Sequence, residues 1–251
     1  MTRLWTPHRG SIGVFGNAPS GSALSPYAAA VLADGPVGYW RLTEQAGIVA
    51  VDLIAANDGA YTGAFTLGQA GLITSTPGDT SVLFNGVTGC VLVPHSVAYC
   101  IPTTGFISIE FLWLANTDGT NQHLLGKTQA ALTEYDIQRR TTGAFRENVW
   151  NGAGVSVAQF TTGALWVAAT GKHHHAYTMD DVANISIGYM DGVAVGTDVT
   201  WVGATAITAA NLAFGQVGNN TSFFNGRMQE VAIYDYILTP AQIAAHSVLA
   251  F

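Results

Sequence analysis

Apolar and polar residues alternate in short runs along most of this chain. Residues 106–114, FISIEFLWL, set Ile107, Ile109, Phe111 and Trp113 on one side of an extended backbone and Ser108 and Glu110 on the other. Further strand signals fall at residues 37–42, 81–94, 122–127, 135–139, 172–178, 185–192, 211–215 and 228–234, with Val231 and Ile233 marking the buried face of the last. Gly143 and the Gly152-Ala153-Gly154 cluster mark turns, and Asp191-Gly192 is a tight-hairpin signal. The period changes in two places. From Pro26, YAAAVLA reads as a short helical turn ended by Asp34-Gly35-Pro36. At the other end Thr239 caps a helix, Pro240 suits its first position and Gln242 completes a capping box, opening a short helix that carries Ile243, Ser247 and Val248. The pattern predicts an all-β fold of two antiparallel sheets packed face to face, closed by a short C-terminal helix.

Composition changes this picture in one respect. Only 10% of the residues are charged, while 49% are hydrophobic and 29 are glycine. With a mean hydropathy of +0.28, either the core is large or part of the outside is covered by other chains. Nine Lys and Arg against sixteen Asp and Glu leave a net charge of −7, with Arg139-Arg140 the only adjacent basic pair, which argues against nucleic-acid binding. No apolar run is long enough for a membrane helix, and the N-terminus lacks the apolar core of a secretion signal, so a soluble protein made in the cytoplasm is expected. Cys90 and Cys100 either pair across a turn or remain buried thiols, the second being preferred. Residues 1–26 mix Gly and Pro with Trp5, Val14 and Phe15 and show no sustained period, which reads as an extended N-terminal arm whose anchors, Trp5 and Phe15, dock on a partner.

Residues 224–243 read F-x-G-x-x-x-E-V-x-I-Y-x-x-x-L-T-x-x-Q-I, and this resembles the closing strand and helix of laminin G-like domains in the concanavalin A-like lectin superfamily. The likeness extends to Tyr39-Trp40-Arg41-Leu42 with Glu44, Gly47 and Asp52, to residues 81–94 (read as a hairpin), to the FISIEFLWL strand, and to KHHHAYT followed by ISIGYMDG. It implies one laminin G-like jelly-roll domain over residues 27–251, preceded by the arm.

Some jelly rolls of that superfamily hydrolyse glycans with acids at alternate positions of one strand. Glu134 and Asp136 stand at such positions, about 6.6 Å apart along one face, but Gln138 occupies the third and cannot move a proton, so no catalytic set is expected. His173, His174 and His175 alternate in direction and do not converge on a metal; the resemblance makes His174 a packed core histidine with two more exposed neighbours. It also implies a calcium ion held by Asp52, Asn57 and Glu230, weakened by Gln229 where relatives often carry an acid. Residues 116–121 and 218–224 have the amides and aromatic rings of glycan-binding loops and equally of ordinary turns.

Three functions compete. The preferred one, supplied by the resemblance, is a non-enzymatic bacteriophage virion protein, a capsid decoration or tail accessory exposed on the particle, touching itself, other virion proteins and host surface glycans through a lectin-like fold. The second is a carbohydrate-binding module, and the third a glycan hydrolase or lyase.

Overall fold

The computed structural model describes residues 24–251 apart from 130–131, 152, 164–165, 167–170, 200, 202–204, 206 and 218–221. Sixteen strands are formed among the described residues: β1 (Gly38–Trp40), β2 (Val49–Ala50), β3 (Gly59–Thr62), β4 (Phe65–Ala70), β5 (Thr80–Asn85), β6 (Cys90–Val93), β7 (Phe106–Ala115) and β8 (Gln122–Gln129), then β9 (Leu132–Arg139), β10 (Phe145–Trp150), β11 (Ser156–Thr161), β12 (His173–Asp180), β13 (Ile185–Met190), β14 (Val193–Asp198), β15 (Leu212–Phe214) and β16 (Asn225–Tyr234). They make two antiparallel sheets. The first runs β14-β13-β12-β7-β16-β5-β4 with β1 also on β16; the second runs β11-β10-β9-β8-β15-β6-β3-β2. This is the expected jelly-roll sandwich.

The main core lies between the sheets. Ile107, Ile109, Phe111 and Trp113 of β7 meet Tyr135, Ile137, Phe145 and Val149 of the second sheet, with Trp40 and Phe214 beside them. Where two strands would leave no room for a large side chain, the sequence supplies glycine: a Cβ on Gly188 would lie 2.4 Å from both Glu147 Oε2 and Phe160 Cζ. Cys90 and Cys100 are buried free thiols.

One expectation is corrected by the topology. Residues 81–94 do not form a hairpin, because β5 pairs with β16 and β4 while β6 pairs with β15 and β3. The Asn85 side chain instead accepts three successive N–H groups, from Val87, Thr88 and Gly89, and so turns the chain from one sheet into the other.

The centre of the first sheet is buried on both faces, so β16 is not the one-sided strand its alternation suggested. Its outer face carries a second core, in which α1 (Pro26–Ala33) and α3 (Pro240–Ala250), separated in sequence by the single-turn α2 (Ile101–Thr104), pack Tyr27, Val31 and Ile243 onto Leu112, Ala176, Ala232 and Tyr234. Both helices start with a side-chain cap. Thr239 and Gln242 form the predicted capping box, and Ser25 accepts from the N–H of Ala28, so the folded domain reaches back past the expected boundary at residue 27.

Glu110 of β7 stands at the centre of this second core, fully buried between the cross-strand neighbours Ala176 and Ala232. His174 Nε2 lies 2.9 Å from its Oε2 and His246 Nδ1 of α3 lies 3.0 Å from its Oε1, while the Tyr234 hydroxyl donates to it. The far side of the His246 ring faces Asp34, just after α1, at 3.2 Å. Burial alone would raise the Glu110 carboxyl, but the bonds from His174 and His246 outweigh it and hold it at about 2. Burial likewise works against His246, and the bond to Glu110 raises it above its ordinary value.

The signs set a pH window. A carboxyl lowered from 4.5 to about 2 contributes stability that is present above about 4.5 and lost as pH falls toward 2. A histidine raised above 6.5 contributes stability that is lost as pH climbs through its raised value. Urea midpoints measured from about pH 2 to about pH 9 will therefore peak between those limits. Glu110→Gln will cost about 3 kcal/mol near neutrality and leave a shallower acid limb.

Candidate functional site

The outer face of the second sheet, across β9, β10 and β11, carries a connected set of polar groups. Asp136 and Gln138 share this face of β9, whereas Glu134, at the irregularity where the β8–β9 register shifts between Lys127 and Thr128, has separate surroundings. Glu134 is buried with Lys127, its Oε2 3.0 Å from Nζ, and its oxygens also accept the N–H of Ile101 (2.9 Å) and Thr208 (3.4 Å). It anchors two loops to the sheet.

Asp136, also buried, is the centre of the face. Its Oδ1 accepts from Asn148 Nδ2 (2.6 Å) and Gln138 Nε2 (2.9 Å), and its Oδ2 from the Trp150 indole N–H (3.2 Å). The register makes this possible, since Asp136 pairs with Asn148, Asn148 with Gln159, and Gln138 with Arg146. The chain of bonds continues outward: Asn148 Oδ1 accepts from Gln159 Nε2 (2.7 Å), and Gln138 Oε1 from Arg140 Nη1 (3.1 Å). Burial pushes the Asp136 carboxyl up to about 6, against the pull of these donors. Gly126 opens one wall, for a Cβ there would lie 2.5 Å from Val217 Cγ1 and 3.2 Å from Asp136 Cβ. Asp136 and Asn148 are buried, Gln138, Arg140, Arg146 and Trp150 are half-buried, and Gln159 is exposed. Such a face offers fixed donors, acceptors and an indole ring, which suits a polyol ligand. Its carboxylate, Asp136, is held at both oxygens by neutral donors.

Gln138, taken from the sequence as a break in an acidic pattern, is thus the link between Asp136 and Arg140. Asn148, Trp150 and Gln159 went unnoticed. The signal for Asn148 and Trp150 is present in FRENVW, whose alternation sends Arg146, Asn148 and Trp150 away from the inward Phe145, Glu147 and Val149.

The residues named for calcium do not converge on an open centre. Asp52 Oδ1 accepts the N–H of Tyr39 and Ile54, and Oδ2 those of Ala55 and Asn57, so it staples its own loop to β1. The Asn57 amide donates to Pro94 O and the Tyr99 hydroxyl. Glu230 faces a guanidinium: Arg41 donates to it through Nε (3.1 Å) and Nη2 (3.1 Å) and reaches Asp79 at 2.8 Å, and the Tyr39 hydroxyl donates as well. Gln229 accepts the N–H of Leu72 at 2.6 Å and donates to Glu230 at 3.2 Å, and a carboxylate there could not make the second bond. These side chains do not fit a calcium cage, since an arginine stands where the ion's charge would be. No group of three or more His, Cys, Asp or Glu among the described residues is set to hold a metal.

His174 is the packed core residue expected, but His173 and His175 are buried too. They lie on the inner face of β12, where His173 packs against Trp113 and meets Asp191 at 2.8 Å, and His175 stacks between Phe111 and Phe145 with Glu147 at 2.8 Å. The 116–121 loop is tied down internally, with Asp118 paired to Arg139 and the Asn121 amide oxygen accepting from Thr141 N–H. Trp5 and Phe15, and residues 218–221 of the other candidate loop, lie outside the described residues.

A family model described as the concanavalin A-like lectin/glucanases superfamily matches residues 85–244, more than half of the chain. A search of curated protein sequences finds no match. Among solved structures, a Trypanosoma rangeli sialidase matches with a TM-score of 0.57 at 16% identity, over 86% of this chain and 33% of its own, so this chain spans about a third of the sialidase. Domain 4 of an extracellular arabinanase from Geobacillus stearothermophilus, in complex with arabinotriose, matches with a TM-score of 0.59 at 17% identity over 86% of this chain and 98% of that domain. The binding domain of Paraclostridial Mosquitocidal Protein 1 matches with a TM-score of 0.60 at 12% identity, over 86% and 52%. Likeness at these identities establishes the fold.

The arginine in place of an ion has a measurable consequence. Arg41→Ala leaves Glu230 buried without its partner and will destabilise the protein by about 3 kcal/mol. Excess chelator will leave the wild-type melting curve unmoved. A fall in melting temperature on chelation would restore the calcium reading.

Proposed function

The chain belongs to the concanavalin A-like lectin/glucanase superfamily, and we propose that it is a glycan-binding module without hydrolytic activity, with the outer face of β9, β10 and β11 as its contact surface. The observation that carries this is the bond set centred on buried Asp136, which holds half-buried Trp150 directly, half-buried Arg140 through Gln138 and exposed Gln159 through Asn148. Sugars are recognised by hydroxyl-matched donors and acceptors beside an aromatic ring, and a face already held in place by a buried acceptor loses little entropy when it binds them. The arabinotriose-bound arabinanase domain supports the reading through its fold. The proposed lack of hydrolysis is supported by the separate surroundings of the two acids, Glu134 being paired with Lys127 while Asp136 is held by three neutral donors. A place on a virion would add host attachment to this activity. Its own carriers, Trp5 and Phe15 of the arm, are a separate question from the glycan face.

Affinity electrophoresis and calorimetry against a panel of soluble polysaccharides test the proposal. We expect at least one to bind, Trp150→Ala to weaken it about tenfold while the melting curve stays cooperative, and no reducing sugar to be released. Reducing-sugar release by the wild type that Asp136→Asn abolishes would make the face a catalytic one. Binding that survives Trp150→Ala unchanged would place the contact elsewhere.

A further inference from the structure

The basic residues of this chain are few, and their placement is uneven. Arg3 and Arg9 lie outside the described residues. Of the other seven, Arg41 pairs with Asp79 and Glu230, Lys127 with Glu134, and Arg139 with Asp118, while Lys172 and Arg227 rest on the carbonyls of Gly71 and Ala70. Arg140 and Arg146 remain. They flank Gln138 on the outer face of the second sheet, Arg146 as its cross-strand partner and Arg140 as the donor to its Oε1. Neither forms an ion pair among the described residues.

Two further observations bear on this pair. The Arg146 Nε is enclosed and has no hydrogen-bond partner, so the stem of the side chain is fixed while the residue as a whole stays half-buried. The two guanidinium groups also feel each other: Arg140 is lowered from its ordinary value by burial and then by the charge of Arg146, with Asp136 acting in the opposite sense. Like charges held together on a sheet face cost free energy, and nothing in the fold makes use of this contact. Asp136 makes no direct bond to either guanidinium, and its oxygens accept from Asn148, Gln138 and Trp150 instead.

We propose that Arg140 and Arg146 form an anion subsite beside Trp150, which selects glycans bearing carboxylate or sulfate groups over neutral ones; this rests on the glycan-binding reading of the same face. Forked guanidinium donors match the paired oxygens of a carboxylate or sulfate. The net charge of −7 makes the proposal specific, since the molecule as a whole repels polyanions and only a local site can draw one in.

The test uses the full chain at about 0.15 M salt, where attraction beyond about 8 Å is screened. Binding is measured to polygalacturonate and dextran sulfate as the carboxylate and sulfate probes, and to dextran and linear arabinan as neutral ones. The expected result is binding of at least one acidic probe about tenfold tighter than either neutral one, reduced about tenfold by Arg140→Gln and by Arg146→Gln. The stronger acidic probe identifies the group recognised. Arg140→Gln carries the test should Arg146→Gln lose its cooperative melt. Equal binding of neutral and acidic probes, or acidic binding indifferent to both substitutions, overturns the subsite and leaves the glycan-binding reading standing. Failure of all four probes to bind overturns both.

Discussion

A carboxylate withdrawn wholly from water has to be met by donors placed for it, and in this molecule Glu110 sets that condition. It sits on the strand that joins the two halves of the first sheet, with β12 on one side and β16 on the other. Its partners come from three elements, His174 from β12, Tyr234 from β16 and His246 from α3, and His246 passes the contact on to Asp34 behind α1. Alanines on both flanking strands leave the space the side chain needs. A half-satisfied version of this network would be worse than an apolar layer, so it fixes the register of the strands and the seat of both helices together. Helices cover the central strands of the first sheet on one face and the core covers them on the other, and the outer face of the second sheet lies away from both cores.

The same network shows where a sequence stops being legible. Alternation in FISIEFLWL divided β7 into two faces correctly, and the capping box placed α3, because both signals are local. Alternation also labels Ser108 and Glu110 as the wet side. They are buried because a second layer covers them, and nothing within ten residues of Glu110 announces α1 or α3. His173 and His175 mislead in the opposite way, since a polar residue type masks an inner-face position that strand periodicity had already assigned. The change of sheet between β5 and β6 is invisible for a related reason. Two short strands joined by a turn look alike whether they pair with each other or face each other across the core.

The site was half legible. Spacing put Glu134, Asp136 and Gln138 on one face, but the β8–β9 register shifts at Glu134, which turns to Lys127 and the N–H of Ile101. Their roles depended on cross-strand neighbours that only the register supplies: Lys127 for Glu134, and Asn148 and Trp150 for Asp136. The calcium residues failed on the same count. Asp52 and Glu230 both touch Tyr39, but at opposite ends, one at its backbone N–H and the other at its hydroxyl. Family position could indicate the shared tyrosine. It could not indicate that Arg41, two residues beyond Tyr39, stands between Glu230 and Asp79.

Glu230 and the Arg140–Arg146 pair each break a local rule, and they differ in what the rest of the structure does with the cost. Glu230 takes a left-handed backbone, φ 57°, where β16 bulges between Gln229 and Ala232. A non-glycine residue there is strained, yet the bulge has a structural return: the Glu230 N–H bonds Arg41 O, and its side chain meets Arg41, Tyr39 and Gln229. The strain is therefore explained from inside the molecule. Arg140 and Arg146 are the other case. A chain with so few charges, which joins Arg41, Lys127 and Arg139 to acids, holds two cations side by side and offers them no carboxylate oxygen. Sequences are consistent across levels except where function intervenes, and a rule broken without an internal return points outward, to something the face meets.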